Sequence, residues 1–348
     1  MRYKLLGKSG LRVSELCLGT MTFGEDWGWG SSKEESRRIF DAFLETGGNF
    51  IDTANLYTNG TSEAYLGEFM QGQRGRIVLA TKYTNSAPMN DPNAGGNQRK
   101  NMMQSIEGSL KRLKTDYIDL YWLHIWDAMT PVEEVMRAFD DLVRQGKVLY
   151  VGVSDAPAWW VAQANTLAQL HGWMPFVGLQ IEYSLIERSP ERELLPMAQA
   201  FGLTVTAWSP LAGGVLTGKH LSQSGQLKAP AGTRFEVSGM EQFASYSDRS
   251  KTIAQEVLAI AAQVGRSPAQ VALAWLRQRP QPIIPIIGAR KLNQFQDNLA
   301  CLDLRLDTAQ MERLDKVSNI ELGFPHDFYA REMVRTFVYA GMREQIDA

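Results

Sequence analysis

The sequence predicts one closed (β/α)₈ barrel of the TIM type, for three reasons. Eight short apolar runs alternate with amphipathic segments of helical period, which is typical of parallel strands joined by helices. No linker or low-complexity tract divides the 348 residues, so we expect residues 1–348 to form a single domain. Eight such units are the number that closes a barrel, and the chain length suits one large barrel.

The eight predicted strands are short, rich in β-branched or aromatic residues, and bounded by turn residues or charges. In chain order they are LCLGT, NFIDTA, RIVLATK, YIDLYWLH, VLYVGVS, FVGLQIE, LTVTAWS and PIIPIIG. Ahead of them, YKLLGKSGLRVSEL predicts a small N-terminal β-hairpin. We expect this hairpin to close the bottom of the barrel.

The segments between the strands carry apolar residues at helical spacing. In TPVEEVMRAFDDLVRQG we expect Thr130 to be the N-cap and Pro131 the first helical residue. After the last strand, KLNQFQDNLACL and DTAQMERLDKVS predict extra C-terminal helices. The stretch from about 212 to 250 has no period and is rich in Gly and Ser, and loops of that length commonly bind or cover a ligand.

The composition argues against several function classes. The net charge is −2, and the Lys and Arg residues form no basic stripe of the kind found in nucleic-acid binders. No apolar run approaches the roughly 20 residues that span a bilayer, and the first residues do not resemble a signal peptide, so we expect a cytoplasmic protein. Cys17 and Cys301 stand in apolar strings, which predicts buried free thiols and no metal site. The oligomeric state is not readable from the sequence.

Four residues with acid–base chemistry fall at, or just after, the C-terminal ends of consecutive predicted strands. Asp52 closes the second strand, Lys82 the third and His124 the fourth, and Tyr57 lies in the loop after Asp52. Because catalytic residues of these barrels lie at that end of the strands, the four side chains can meet at one rim.

The chemistry of these four residues is complementary. A tyrosine phenol, with a pKa near 10, is a weak acid, and a neighbouring ammonium lowers that pKa while a carboxylate holds the ammonium in place. A histidine can donate to a carbonyl oxygen, where negative charge develops as a hydride arrives. Each residue alone also has a purely structural interpretation, from helix capping for Asp52 to a buried structural role for His124. Their conjunction favours reduction of a carbonyl group.

Three ordered motifs resemble the aldo-keto reductase family, within a similarity that runs from about Tyr3 to Cys301. They are NFIDTANLYTNGTSEAYLGE, RIVLATKY and YIDLYWLHIWD, and the stretch GKVLYVGVSDAPAWWV is most similar to the aryl-alcohol dehydrogenase branch. The resemblance implies an NADP-dependent oxidoreductase that reduces aldehydes or ketones to alcohols. It also implies that Tyr57 is the general acid, that Lys82 and Asp52 tune it, and that His124 orients the carbonyl.

The resemblance further implies a site for NADPH across the C-terminal rim of the barrel. This differs from a Rossmann domain, whose G-x-G-x-x-G fingerprint is missing from LGTMTFG after the first strand. The residues that the resemblance assigns to the cofactor are Gly19, Thr20, Ser154, Asp155, Gln180, Trp208, Ser209, Pro210, Leu211, Gly213, Leu216, Lys219, Gly288, Arg290, Gln294 and Asn298.

Within that set, the resemblance gives each group a part of the cofactor. Ser154, Asp155 and Gln180 would hold the carboxamide, although the family often has Asn where this chain has Asp155. Trp208 would stack on the nicotinamide ring. Backbone N–H groups from Ser209 to Lys219 would bind the pyrophosphate, and the residues after the last strand the adenosine end. The guanidinium of Arg290 suits a 2′-phosphate, which favours NADPH over NADH.

The segment Gly213–Lys219 also spells G-x-x-x-x-G-K, the beginning of a P-loop. A P-loop continues with Ser or Thr, which binds Mg²⁺, whereas this chain has His220. No helical period follows the segment either. A nucleoside-triphosphate site is therefore not favoured.

Aromatic residues follow or flank several strand ends, so we expect an aromatic substrate pocket with Trp27, Tyr83 and Trp126 among its walls. Such a pocket favours aromatic or other small aldehydes.

An alternative is a cofactor-binding regulatory subunit similar to potassium-channel β subunits, with little turnover, because those subunits retain the same four residues. A hydrolase with paired carboxylates is not favoured, since no second acid accompanies Asp52 at a strand end.

Overall fold

The structure, a computed structural model, describes residues 1–86, 90–221, 226–229, 236 and 246–347. The strands in these ranges are β1 Tyr3–Leu5, β2 Arg12–Ser14, β3 Cys17–Gly19, β4 Phe50–Asp52, β5 Val78–Tyr83, β6 Ile118–Leu123, β7 Val148–Ser154, β8 Phe176–Glu182, β9 Thr204–Trp208 and β10 Ile283–Ile287. Strands β3 to β10 pair in parallel and in sequence order, and β10 pairs back with β3 to close a barrel. The predicted (β/α)₈ barrel is confirmed.

Helices follow the barrel strands. Those described are α1 Lys33–Glu45, α2 Thr61–Phe69, α3 Arg99–Leu113, α4 Val132–Arg144, α5 Ala158–His171, α6 Leu194–Phe201, α7 Asp248–Val264, α8 Pro268–Arg277, α9 Leu292–Leu299, α10 Thr308–Ser318, α11 His326–Tyr329 and α12 Glu332–Val338. Helices α9 and α10 are the predicted C-terminal helices, and α11 and α12 lie in the tail, for which no helix was predicted. Among the residues described here, no helix is both long and apolar enough to cross a membrane.

Two expectations about segment boundaries need correction. Helix α4 begins at Val132 with Pro131 as its N-cap, and Thr130 does not cap it because its N–H and hydroxyl both bond to Asp127. The expected loop of about 212–250 contains a 3₁₀ helix at Ala212–Thr217, and α7 begins before the loop was expected to end. Positions 222–225, 230–235 and 237–245 of that loop lie outside the described residues.

The N-terminal hairpin of β1 and β2 closes the bottom of the barrel, as predicted. Its residues Leu6 and Val13 are fully buried and belong to the apolar cluster inside the barrel. The N–H of Gly7 donates to the hydroxyl of Thr204, 2.7 Å away, at the start of β9. The hairpin therefore contacts the end of the strands opposite to the predicted catalytic residues.

Alternation along each strand decides which side chains enter the barrel. On β5, Val78 and Ala80 belong to the interior cluster, whereas Leu79 and Tyr83 belong to the cluster between the barrel and the helices. Lys82 lies two residues after Ala80 and therefore points inward. Its neighbour Tyr83 points outward for the same reason.

A single large side chain fills the barrel below the catalytic rim. Trp122 on β6 is fully buried in the interior cluster. The next two strands carry Gly152 and Gly178, and a Cβ atom at these positions would lie 2.3 and 2.8 Å from the Trp122 ring. The two glycines therefore leave the space that the indole occupies.

We expect the substitution Gly152→Ala to lower the free energy of unfolding by about 1–3 kcal/mol, the usual cost of overpacking a core. The added methyl would overlap ring carbons of Trp122, whose side chain is fully buried. Urea unfolding followed by circular dichroism measures the change.

The matched control is Gly10→Ala, because a Cβ at Gly10 meets nothing within 4 Å. Equal stability of the two variants would show that Trp122 does not need the space at Gly152.

Candidate active site

The ammonium group of Lys82 lies at the centre of the site. Its Nζ donates to Asp52 Oδ1, to the backbone oxygen of Thr53 at 2.8 Å and to the phenol oxygen of Tyr57 at 2.9 Å. Lys82 is fully buried and Asp52 almost so. An ammonium has three donors, so all of them are used inside the protein.

The Asp52 carboxylate is held from a second side. Gln180 on β8 donates from Nε2 to Asp52 Oδ2 at 3.0 Å, while Oδ1 accepts from Lys82. Residues from the ends of β4, β5 and β8 therefore form one polar layer, directly above the apolar interior of the barrel.

Tyr57 is presented by an irregular segment after β4. It begins a 3₁₀ turn, Tyr57–Gly60, in which Thr58 and Asn59 have left-handed backbone angles of φ 47° and 55°. The hydroxyl of Thr58 donates to the backbone oxygen of Phe23 at 2.6 Å and anchors the turn. Because Lys82 donates to the phenol oxygen, the phenol hydrogen of Tyr57 can point away from Lys82, into the adjoining cavity.

Burial and charge act in opposite directions on Tyr57 and Lys82. Burial raises the pKa of the Tyr57 phenol, the Lys82 ammonium opposes that rise, and the net pKa lies above its usual value. The predicted effect of Lys82, to lower this pKa, is present, but burial outweighs it. Burial lowers the pKa of Lys82, but Asp52 and Tyr57 outweigh it, so Lys82 stays charged.

His124, directly after β6, is neutral in this environment. Burial, with a smaller contribution from the Lys82 charge, holds its pKa well below the usual value. The amide nitrogen of Asn85 lies 3.2 Å from His124 Nδ1. An amide NH₂ can only donate, so the proton of the neutral ring is on Nε2. The ring stands edge-on to Tyr57, with 5.9 Å between centroids.

A cavity of about 640 Å³ opens over this layer. Tyr57 and His124 line it, whereas Asp52 and Lys82 lie beneath its surface. The predicted cofactor residues that line it are Gly19, Thr20, Ser154, Asp155, Gln180, Trp208, Ser209, Pro210, Leu211, Gly213, Lys219, Gly288, Arg290, Gln294 and Asn298. Residues from the ends of most barrel strands thus converge on one elongated space.

The end of the cavity nearest Tyr57 contains a buried hydroxyl and a buried acid. Ser154 is buried, and its hydroxyl interacts with the neighbouring Asp155 carboxyl. The indole nitrogen of Trp208 donates to Asp155 Oδ1 at 3.1 Å. Burial raises the pKa of the Asp155 carboxyl to about 6.

Four backbone donors of the loop after β9 are used within the loop itself. The N–H groups of Ala212, Gly214 and Leu216 bond to backbone oxygens of the same loop, and that of Gly213 bonds to Ser209 Oγ. Binding of the pyrophosphate by the backbone of this loop stays a prediction. Two cationic side chains line the cavity, that of Lys219 in this loop and that of Arg290 after β10.

Besides Asp52 and Lys82, four predicted site residues lie outside the cavity lining. Leu216 is fully buried in the apolar layer, and Tyr83, which points outward, donates to the backbone oxygen of Asn97 at 3.2 Å. Trp27 bonds to Asn59 and packs against Trp29. Trp126 packs edge-on against Trp159 in a separate surface groove. Trp27, Tyr83 and Trp126 therefore do not form the walls of the cavity, and Leu216 does not line it.

Several lining residues were not predicted from the sequence. They are Met21, Thr22, Gly214, Thr217, His220, Ser267, Pro268, Ala269, Ile286, Ile287, Ala289 and Asp297. Trp29, which follows the first predicted strand in the sequence, also lines the cavity. The Ser-Pro pair at 267–268 is a recognisable helix start, and Ser267 does cap α8. The sequence carries no signal that this helix end faces the cavity.

The arrangement can polarise a carbonyl group. The phenol of Tyr57 and Nε2–H of His124 are two donors at one end of the cavity. A carbonyl oxygen between them would gain hydrogen bonds where negative charge develops during reduction.

Comparison with known proteins agrees with this geometry. A family model described as the aldo/keto reductase family matches residues 15–319. A putative aryl-alcohol dehydrogenase of Saccharomyces cerevisiae is 37% identical over 337 residues, covering 93% of this chain and 88% of the relative. An NADP(+) aryl-alcohol dehydrogenase of Phanerodontia chrysosporium is also 37% identical, covering 91% of this chain and 86% of the relative.

A third similar protein is a norsolorinic acid reductase of Emericella nidulans. It is 38% identical, and the match covers 92% of this chain and 82% of the relative. The family match includes every barrel strand and the four predicted catalytic residues, Asp52, Tyr57, Lys82 and His124. The chain therefore belongs to the aldo/keto reductase family of oxidoreductases.

Proposed function

We propose that this protein is an NADPH-dependent reductase of aldehydes or ketones, with Tyr57 as its general acid. The observation that carries the proposal is the contact between Lys82 Nζ and the Tyr57 phenol oxygen, 2.9 Å apart. Because Lys82 is charged and its other donors are used by Asp52 and Thr53, the contact is fixed and the phenol proton is available to the cavity.

The residues of the chain act on the carbonyl in a defined order. His124 Nε2–H and the Tyr57 hydroxyl orient the substrate by donating to its oxygen. As that oxygen becomes an alkoxide, the Tyr57 proton passes to it, and the phenolate that remains is stabilised by the Lys82 ammonium. Asp52 and Gln180 hold Lys82 in place through the hydrogen bonds described above.

The residues of the cavity fit a nicotinamide dinucleotide. Ser154 offers a buried hydroxyl, and Trp208 offers an aromatic surface, at the same end as Tyr57. Lys219 and Arg290 also line the cavity and would supply positive charge for the phosphates. When bound, the cofactor supplies the hydride. One similar protein is named as NADP(+)-dependent, which supports NADPH as the cofactor.

The substrate class we propose is aromatic aldehydes. The aromatic side chains that line the cavity are those of Trp29, Tyr57, His124, Trp208 and His220. A flat apolar ring gains roughly 25 cal/mol per Å² of buried area, plus about 0.5–1.5 kcal/mol from stacking. Two of the similar proteins are named for aryl alcohols.

Replacing Tyr57 by Phe should lower kcat for benzaldehyde reduction by about 10²- to 10⁴-fold, because the proton donor is lost. Stopped-flow absorbance of NADPH measures the rate, and quenching of tryptophan fluorescence measures NADPH affinity, which should be retained. Tyr65→Phe is the matched control, since its ring packs on Phe69 away from the cavity.

A fall in kcat of less than about tenfold would remove Tyr57 from the role of general acid. If the unmodified protein binds NADPH but reduces no member of an aldehyde and ketone panel, the regulatory alternative is the better interpretation.

Replacing Arg290 by Glu should weaken NADPH binding by at least about 10- to 150-fold and NADH binding far less. The range corresponds to the roughly 1.5–3 kcal/mol of one charge-assisted contact, here with the 2′-phosphate. Dissociation constants from fluorescence titration test this. The control is Lys291→Glu, which changes the charge equally at an exposed position beside the cavity. Equal weakening of NADPH and NADH would place Arg290 away from the 2′-phosphate.

Benzaldehyde-type substrates should have a kcat/KM higher than open-chain aldoses by one to three decades, since each unpaired sugar hydroxyl costs about 1–3 kcal/mol. Trp29→Ala should reduce this preference by about tenfold, because Trp29 lines the cavity. Trp126→Ala is the control and should leave it unchanged, because Trp126 lines a separate groove. Faster reduction of aldoses would overturn the aromatic substrate class.

A further inference from the structure

Asp155 carries a carboxyl group on the wall of the cavity that Tyr57 and His124 also line. It follows β7 directly, lines the cavity beside Ser154 and Trp208, and accepts from the Trp208 indole at 3.1 Å. Its N–H donates to the backbone oxygen of Gln180, and its own carbonyl accepts from the N–H of Trp126. The carboxylate is therefore fixed at the end of the cavity where Tyr57 and His124 would bind the carbonyl.

The backbone at Asp155 supports this placement. Its φ is +46°, in the left-handed region that most residues avoid and that Asp and Asn tolerate best. Either residue type could therefore occupy the position, and both can accept the Trp208 hydrogen bond. Only Asp brings a negative charge.

We propose that the Asp155 carboxylate makes this site bind the oxidised nicotinamide in preference to the reduced one. The inference rests on the proposed function. The oxidised ring carries a positive charge and the reduced ring does not, so a nearby anion stabilises only the oxidised form. An asparagine at this position could satisfy the same hydrogen bonds without distinguishing the two charge states.

The groups around Asp155 have shifted pKa values of their own. Lys82 stays protonated because its pKa is raised, and the raised pKa of Tyr57 keeps its phenol neutral. Burial lowers the pKa of His124 well below its usual value, and it also lowers the pKa of His220, which lines the same cavity. Burial raises the pKa of the Asp155 carboxyl to about 6, so this group changes its charge between about pH 5 and 7.

The sign of the pH dependence follows from linkage. Burial raises the pKa of Asp155 to about 6, so the carboxyl is largely neutral below that pH and ionised above it. A bound cation favours the ionised form and lowers this pKa in the complex. The preference for NADP⁺ over NADPH should therefore rise with pH up to about 6 and be constant above it.

The test measures dissociation constants of NADP⁺ and NADPH between pH 5 and pH 8.5 by fluorescence quenching, for the unmodified protein and for Asp155→Asn. We expect the ratio of the NADPH to the NADP⁺ dissociation constant to increase by up to about tenfold across this range in the unmodified protein, because one proton changes it by at most one decade per pH unit. In Asp155→Asn the ratio should be independent of pH, and NADP⁺ binding at pH 8 should be weaker by a similar factor while NADPH binding is retained.

Asp297→Asn is the matched control. Asp297 also lines the cavity, but on α9, where its oxygens accept from Ser267 at 2.8 Å and Gln270 at 2.7 Å. Its loss should change the two dissociation constants by the same factor. If Asp155→Asn also changes both equally, Asp155 does not distinguish the two oxidation states and the inference is overturned.

A measurement on the unmodified protein provides a second test that does not depend on a variant folding. Calorimetry in buffers of different ionisation enthalpy near pH 5.5 should show more proton release on binding NADP⁺ than on binding NADPH. The 2′-phosphate is common to both forms, so its own titration cancels in the difference. Equal proton release overturns the inference but leaves the proposed function intact. Failure to bind either cofactor overturns both.

Discussion

The site is organised by the burial of one ammonium group. Moving a charged group out of water costs several kcal/mol unless an opposite charge and hydrogen bonds replace its hydration. Lys82 obtains both from Asp52, Thr53 and Tyr57, and Gln180 holds the second oxygen of the Asp52 carboxylate. The side chains are brought from three strands and one turn to a common point because the charge has to be satisfied there.

This polar layer depends on a rigid apolar layer below it. Trp122 fills the barrel under the ion pair, and the strands beside it carry Gly152 and Gly178, which leave room for the ring. The hairpin closes the opposite end of the barrel. Because water is excluded from below, the hydrogen bonds around Lys82 lie in a medium of low dielectric constant, where each is stronger than in water.

Two opposite charges then act on the same end of the cavity. Lys82, beneath the surface, favours negative charge on Tyr57 and on a developing alkoxide. Asp155, on the cavity wall, favours positive charge on a ligand above it. Reduction of a carbonyl creates negative charge at the substrate oxygen and, in our proposal, positive charge on the cofactor ring. The placement of the two groups would suit both changes at once.

The sequence by itself determined the barrel, the hairpin and the positions of Asp52, Lys82 and His124, because strand alternation and strand ends can be read from short apolar runs. The same alternation excludes Tyr83, which lies one residue past Lys82 on β5 and points to the helices. Only the tertiary structure decided that Trp29 lines the cavity and Trp126 does not. Irregular segments carry no period, so the direction of their side chains depends on contacts with residues distant in the chain.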